Sequence, residues 1–283
     1  MPVAAVDTSW TLDPGPILLV GVLLALYVRR WRRVRAREGP RAAGGWRLAS
    51  WVAGCLVILA ALVSPVDALG EQVFVMHMAQ HLLLIDVAPI LLILGLTKVL
   101  MRPVTRRLQP LERRAGILTH PATAVVAYVV VMWVWHVPAL YDAALEHASV
   151  HVLEHTFFFS AGFLYWYVLL SPVRTRLDRR GMHPVVYMLS TKVAVGLLGI
   201  ALTFAPDALY DFYERRPEVW GLSPSEDQAL AGALMALEQS LIMGVALAWL
   251  FVRALAESEK EQQRAERLED LEEQRRAAAA GAP

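Results

Sequence analysis

The chain has 283 residues, 57% of them hydrophobic, with 27 basic against 26 acidic side chains. So even a charge balance leaves no nucleic-acid footprint, and so apolar a composition has too little polar surface for an ordinary soluble domain. The single cysteine, Cys55, excludes an intrachain disulfide and a thiolate metal cluster.

The apolar residues fall into seven runs near the bilayer-spanning length of about 20 residues, at roughly 15–34, 48–64, 72–100, 121–137, 149–170, 184–204 and 229–252. Backbone polar groups in lipid must be satisfied within their own segment. The expected fold is therefore all-α: a polytopic membrane protein with a bundle of seven transmembrane helices over residues 1–252. Residues 1–13 carry no Lys or Arg, so no signal-peptide n-region is expected. The first run ends in a basic stretch, Arg29 to Arg37. Cys55, inside the second run, reads as a small packing residue. The connection from Pro65 to Glu71 has no Lys or Arg. Pro89 is placed to kink the third run.

Basic residues return from Arg102 to Arg114 and from Arg174 to Arg180, whereas Pro138 to Val150 has none and Asp207 to Asp227 holds more acids than bases. Positive charge stays inside, so the N-terminus is expected outside and the C-terminus in the cytoplasm. His120-Pro121 and His183-Pro184 read as helix starts, where a proline's missing N–H costs nothing. Residues 253–283, rich in Glu, Arg, Gln and Ala, read as a charged cytoplasmic helical tail extending the last span.

The chain also repeats itself. His77-x-x-Gln80-His81 is followed by Pro103-Val-Thr-Arg-Arg-Leu108, His120-Pro121 and Pro138-Ala-Leu-Tyr-Asp142. His151-x-x-Glu154-His155 is followed by Pro172-Val-Arg-Thr-Arg-Leu177, His183-Pro184 and Pro206-Asp-Ala-Leu-Tyr-Asp211. Each unit, about 72–142 and 147–211, holds two spans, so the copies share one orientation and form a parallel internal repeat.

Imidazoles spaced i,i+4 share a helix face, which is chelating geometry for a transition metal. His77, His81, His151 and His155 are the candidate metal ligands, with His136 and His147 at the same outer depth and Met76, Met78 and Met132 nearby. Copper suits imidazole and thioether donors. Gln80 and Glu154 occupy matching places and are expected to orient imidazoles by accepting their second N–H. A single histidine in a membrane is commonly just hydrogen-bonded between helices; six on one side is a different pattern. Three charges fall mid-span: Asp86, Lys192 and Glu238. Charges there are costly, so they are expected to pair, as structural glue or along a proton or ion path. Asp86 also sits where it could cap a helix restarting near Pro89.

Three stretches resemble the signatures of the CtaG-type cytochrome c oxidase assembly factors. They are His77-Met-Ala-Gln-His-Leu-Leu-Leu-Ile-Asp-Val-Ala-Pro-Ile-Leu-Leu-Ile-Leu-Gly95, His136-Val-Pro-Ala-Leu-Tyr-Asp-Ala-Ala-Leu-Glu-His147 with His151-x-x-Glu-His155, and Gly221-Leu-Ser with Asp227-Gln-Ala-Leu-Ala-Gly232. The likeness runs over roughly residues 15–250 and departs at Met235-Ala-Leu-Glu238. It implies a multi-pass protein of the bacterial plasma membrane that is not an enzyme. Its partners would be oxidase subunits and its work the maturation of a haem-copper oxidase, with a role in copper handling. Two other readings stay open. Imidazoles from two helices could ligate a haem of an electron carrier, and His151-x-x-Glu154-His155 formally matches an inverted zinc-protease motif, although Gln80 in the other copy cannot act as a base.

Overall fold

A computed structural model describes residues 6–114, 116–173, 175–177 and 181–280. Arg174, Asp178, Arg179 and Arg180 of the expected basic turn lie outside the described residues, as do the last three residues of the tail. The described residues form helices joined by turns and short connections, with no strand among them.

Helix α1 (Pro14–Glu38) starts where the Asp13 carboxylate accepts from the Gly15 N–H at 2.9 Å, with Pro14 in the first turn. It ends at Gly39, whose φ of 80° is open to glycine. α2 (Gly45–Val63) stops at Ser64, whose hydroxyl donates back to the Ala60 carbonyl and accepts from the Val66 N–H, which starts the short α3 (Pro65–Gly70). The third span is α4 (Phe74–Leu82), a π-helical turn (Leu83–Val87) and α5 (Ala88–Leu94). Pro89 cannot donate to the Ile85 carbonyl, as residue i+4 of an α-helix would, and the widened turn falls at that place.

Two expected loops are helical. The basic stretch lies in α6 (Lys98–Arg114), which runs through Pro103 and Pro110. After α7 (Pro121–Trp135) the chain bends by 76° into α8 (Pro138–Glu146), started by Pro138. The absence of Lys and Arg there was a sign of side, and it hid the apolar period of a short helix. His120 caps α7 as expected, its Nδ1 accepting from the Ala122 N–H at 3.2 Å. α9 (Ala148–Leu170) and α10 (His183–Thr203) follow, then α11 (Asp211–Glu214) and α12 (Pro224–Ala280). His183 is the first residue of α10 and Met182 its cap. The 57-residue α12 carries the last apolar run and continues as the expected charged tail.

Four helical segments among the described residues are long and apolar enough to cross a membrane: Pro14–Glu38, Gly45–Val63, Phe74–Leu94 and His183–Thr203. The bent pair of α7 and α8 makes a fifth if counted as one span. Large apolar side chains such as Leu18, Val186, Val193, Leu241 and Val245 stand on the outer surface, as lipid contact requires. The main core joins α4, α7, α9, α10 and α12 around Tyr128, Phe158, Tyr165 and Trp166. α10 and α12 cross at paired glycines; a Cβ on Gly232 would lie 2.6 Å from the Gly199 carbonyl oxygen. Such close crossings are how helices associate in lipid, where apolar burial gives no drive.

Candidate metal centre

α4 and α9 turn their histidines toward each other. The His77 and His151 rings lie 5.4 Å apart between centroids, His81 and His155 5.5 Å, and His77 and His155 6.1 Å. Within each helix the i,i+4 rings are 4.2 Å apart (His77, His81) and 4.1 Å apart (His151, His155). Glu154 stands between them, fully buried, with its Oε2 3.7 Å from His77 Nε2 and its Oε1 3.7 Å from His81 Nε2. One donor atom each from His77, His151, Glu154 and His155 can be chosen so that all lie within 4.8 Å of one another. His81 joins the cluster through Glu154.

The cluster is held rigidly. Phe158 stacks on His81 at 4.2 Å, and Tyr141 meets His77 edge-on at 5.3 Å. Below it, the helices touch backbone to backbone. Gly162 is seven residues beyond His155, hence on much the same face of α9. A Cβ there would lie 1.9 Å from the Ile85 carbonyl oxygen, the same carbonyl that Pro89 leaves without its α-helical donor. Above it, Asp227 at the start of α12 accepts from the backbone N–H groups of Phe74 (2.6 Å) and Val75 (2.9 Å), capping α4 from another helix.

The buried nitrogens of His77 and His81, the Nε2 atoms of His151 and His155, and both Glu154 oxygens have no hydrogen-bond partner among the described residues. Buried polar atoms are ordinarily paired, so a set of convergent, unpaired donors fits a bound cation.

The other expected residues take different places. Gln80 is fully buried but turns away from the imidazoles: its Nε2 donates to Asp67 Oδ1 at 2.7 Å and to the Ala61 carbonyl at 2.8 Å. Burial raises the Asp67 carboxyl above its ordinary range, against the pull of the Gln80 bond. His136 ends α7 beside the cluster; its Nε2 lies 3.4 Å from Met78 Sδ and its Nδ1 2.6 Å from the Met132 carbonyl. His147 is exposed at the start of α9, outside the convergent set. Asp86 does not cap the helix after Pro89. Its carboxylate accepts from Tyr128 and Trp166, because the π-turn swings it toward α7 and α9. Lys192 lies against α12, its Nζ 3.9 Å from where a Gly244 Cβ would stand. Asp67, Tyr128, Trp166 and Asp227 had no role assigned from sequence; for Asp227 the only signal was its place in the Asp227–Gly232 stretch.

The two Leu-Tyr-Asp copies also meet. Tyr141 and Tyr210 lie 4.1 Å apart, Asp142 accepts from the Phe212 N–H, and the Tyr210 hydroxyl donates to the His136 carbonyl.

Uncharacterized proteins Mb0105 of Mycobacterium bovis and MT0111 of Mycobacterium tuberculosis are each 30% identical to the chain over 250 residues, covering 82% of it and 37% of their own length. Uncharacterized protein ML1998 of Mycobacterium leprae is 25% identical over 262 residues, covering 80% of the chain and 36% of its own length. The chain thus spans little more than a third of the curated relatives it matches. No solved structure matches it. A family model described as "Cytochrome c oxidase caa3 assembly factor" matches residues 25–257, taking in both histidine pairs, the π-turn and the start of α12. The chain belongs to the cytochrome c oxidase caa3 assembly factor family.

Proposed function

We propose that this protein is a membrane accessory factor, not an enzyme, that holds copper at the outer face of the bacterial plasma membrane and presents it to subunits of a caa3-type cytochrome c oxidase. The observation that carries the copper reading is the convergence of His77, His151, Glu154 and His155 from two helices, with donor atoms within 4.8 Å of one another and no hydrogen-bond partner for the buried ones. Imidazole with one carboxylate suits copper or zinc, and the Met78 thioether beside His136 adds a soft donor that favours copper. Copper is cargo in this reading. Glu154 supplies a negative charge that offsets the cation in a buried site, and Phe158 and Tyr141 hold the ring planes. The close approach of the π-turn and α9 at Gly162, and the Phe158 ring on His81, leave little room for a porphyrin between the helices, which weighs against the haem-carrier reading.

The same reading takes the bundle as seven spans. α9 is 23 residues long, sufficient to cross about 30 Å of hydrocarbon, and its histidines and Glu154 only lower its apolarity. The apolar part of α12 is the seventh. The basic α6 then faces the cytoplasm, the N-terminus lies outside and the histidines sit near the outer surface. The meeting of the two Leu-Tyr-Asp copies supports a parallel repeat.

The test is elemental analysis of detergent-purified protein alongside oxidase activity in copper-limited cells. Wild type is expected to retain copper, and a His77→Ala/His155→Ala double variant to lose it and impair oxidase maturation at unchanged protein abundance. Normal oxidase activity in that variant under copper limitation would overturn the proposal.

A further inference from the structure

His136 closes α7 and is buried. Its Nδ1 lies 2.6 Å from the Met132 carbonyl oxygen, and its Nε2 lies 3.4 Å from the sulfur of Met78, itself buried. A carbonyl oxygen has no proton to give, so the proton in the shorter contact is on Nδ1. A ring buried among Met78, Tyr141 and Phe158 is favoured as the neutral imidazole, which has a single N–H. Nε2 therefore keeps a lone pair, and it faces a thioether that likewise has no proton to give. The contact is one of two electron-pair donors with no hydrogen between them.

Such a pair is half of a metal site. With bonds of about 2.0 Å to imidazole and about 2.3 Å to sulfur, donors 3.4 Å apart subtend about 105° at a shared ion. That is close to the tetrahedral angle, so the pair supplies two corners and leaves the others open, as a site that passes its ion on requires. The donors also differ in kind from those of the neighbouring cluster. His77, His151 and His155 act with the carboxylate of Glu154, which suits a divalent ion. His136 and Met78 are neutral, and a thioether selects monovalent copper. Between the two stands His81. It is three positions beyond Met78 on α4, so the two share a helix face. It lies outside the four-donor set, yet its Nε2 is 3.7 Å from Glu154 Oε1, and Phe158 packs against both its ring, at 4.2 Å, and that of His136, at 6.3 Å.

We propose that His136 Nε2 and Met78 Sδ form a second, soft-metal station for Cu(I), separate from the four-donor cluster and adjoining it through His81. This inference rests on the copper-handling reading of that cluster and deepens it: the ion is exchanged between a carboxylate-bearing site and an uncharged, open one. Copper stays monovalent at the station, and its transfer there breaks and forms only donor–metal bonds.

The test is X-ray absorption at the copper edge on the full chain in detergent, loaded anaerobically with one equivalent of Cu(I). The His77→Ala/His155→Ala variant, which disables the cluster, should show a copper–sulfur shell at about 2.3 Å. Adding Met78→Leu, a change of nearly conserved volume, should remove that shell. No sulfur shell in the double variant, or one that survives Met78→Leu, would overturn the station. Zinc(II) offered to the same double variant should show no sulfur shell, and one would overturn the selectivity for Cu(I). The cluster reading fails on a different result: a double variant that is purified from cells with the copper content of wild type. If the double variant does not assemble, wild type labelled with selenomethionine and loaded with two equivalents of Cu(I) replaces it. A copper–selenium shell then supports the station, and its absence overturns it.

Discussion

Replacing Gly162 by Ala would put a methyl carbon 1.9 Å from the Ile85 carbonyl oxygen, 2.6 Å from its carbon and 2.8 Å from the Ile85 Cα. A carbon and a carbonyl oxygen in contact stand about 3.3 Å apart at the closest. All three opposing atoms are backbone, so no rotamer can relieve the overlap and the helices must separate by more than about 1 Å. Overpacking of this kind costs about 1–3 kcal/mol, and two facing main chains put this case at the upper end. The displacement also reaches the histidine cluster, because Gly162 is on the helix of His155 and Ile85 lies in the π-turn that directly continues the helix of His81. Metal–imidazole bonds are about 2.0–2.1 Å long, so donors divided between two helices cannot follow such a shift and still share one ion. A loss of metal affinity of roughly tenfold or more is expected, the range seen when the support of a ligand is removed. The assays are thermal unfolding of the detergent-solubilised protein and its metal content. Gly196→Ala on α10 is the control, since a Cβ there meets nothing within 4 Å; it should melt at or slightly above wild type. If Gly162→Ala melts like wild type and keeps its metal, the close approach of the π-turn and α9 does not set the site.

Asp227→Ala should cost about 2 kcal/mol, since it strips the Phe74 and Val75 N–H groups of their acceptor, and an unfolding midpoint equal to wild type would contradict the cap. His147→Ala should leave metal content unchanged, because His147 is exposed and outside the convergent set; loss of metal in that variant would place it in the site. Glu226 accepts from the Ser223 N–H and hydroxyl, which hold its carboxyl below the ordinary 4.5. A depressed acid stabilises the fold above its unfolded value and loses that contribution as pH falls through the folded one. Exchange of the Ser223 amide, corrected for its intrinsic rate, should therefore accelerate as pH falls below about 4.5 in wild type and stay level in Glu226→Gln.

The histidine centre was legible because i,i+4 spacing is a local property: whatever else the chain did, His77 and His81 had to share a face, as did His151 and His155. That the two faces would meet was an expectation drawn from the matching order of motifs in the sequence. The position of Gln80 was not legible. Its match to Glu154 suggested the same duty, but a glutamine takes the nearest acceptors, and α3 supplies Asp67 and the end of α2 supplies Ala61. The partners of Asp86 were hidden for another reason. The cost of buried charge suggested pairing without naming a partner, and Tyr128 and Trp166 are neutral donors that composition alone marks as core or interface. The short α8 escaped because its length is below that of a span and its charge pattern was read for sidedness.

The cap on α4 bears on how the protein is made. The helix with the first histidine pair is made early, yet the acceptor for its leading N–H groups is Asp227, about 150 positions further along the chain. Until the last helix is made, the first turn of α4 has no partner for those groups from Asp227. The histidine cluster is thus finished last, when α12 packs against the bundle, and a nascent chain halted before that point would hold its early histidines on an unfinished helix.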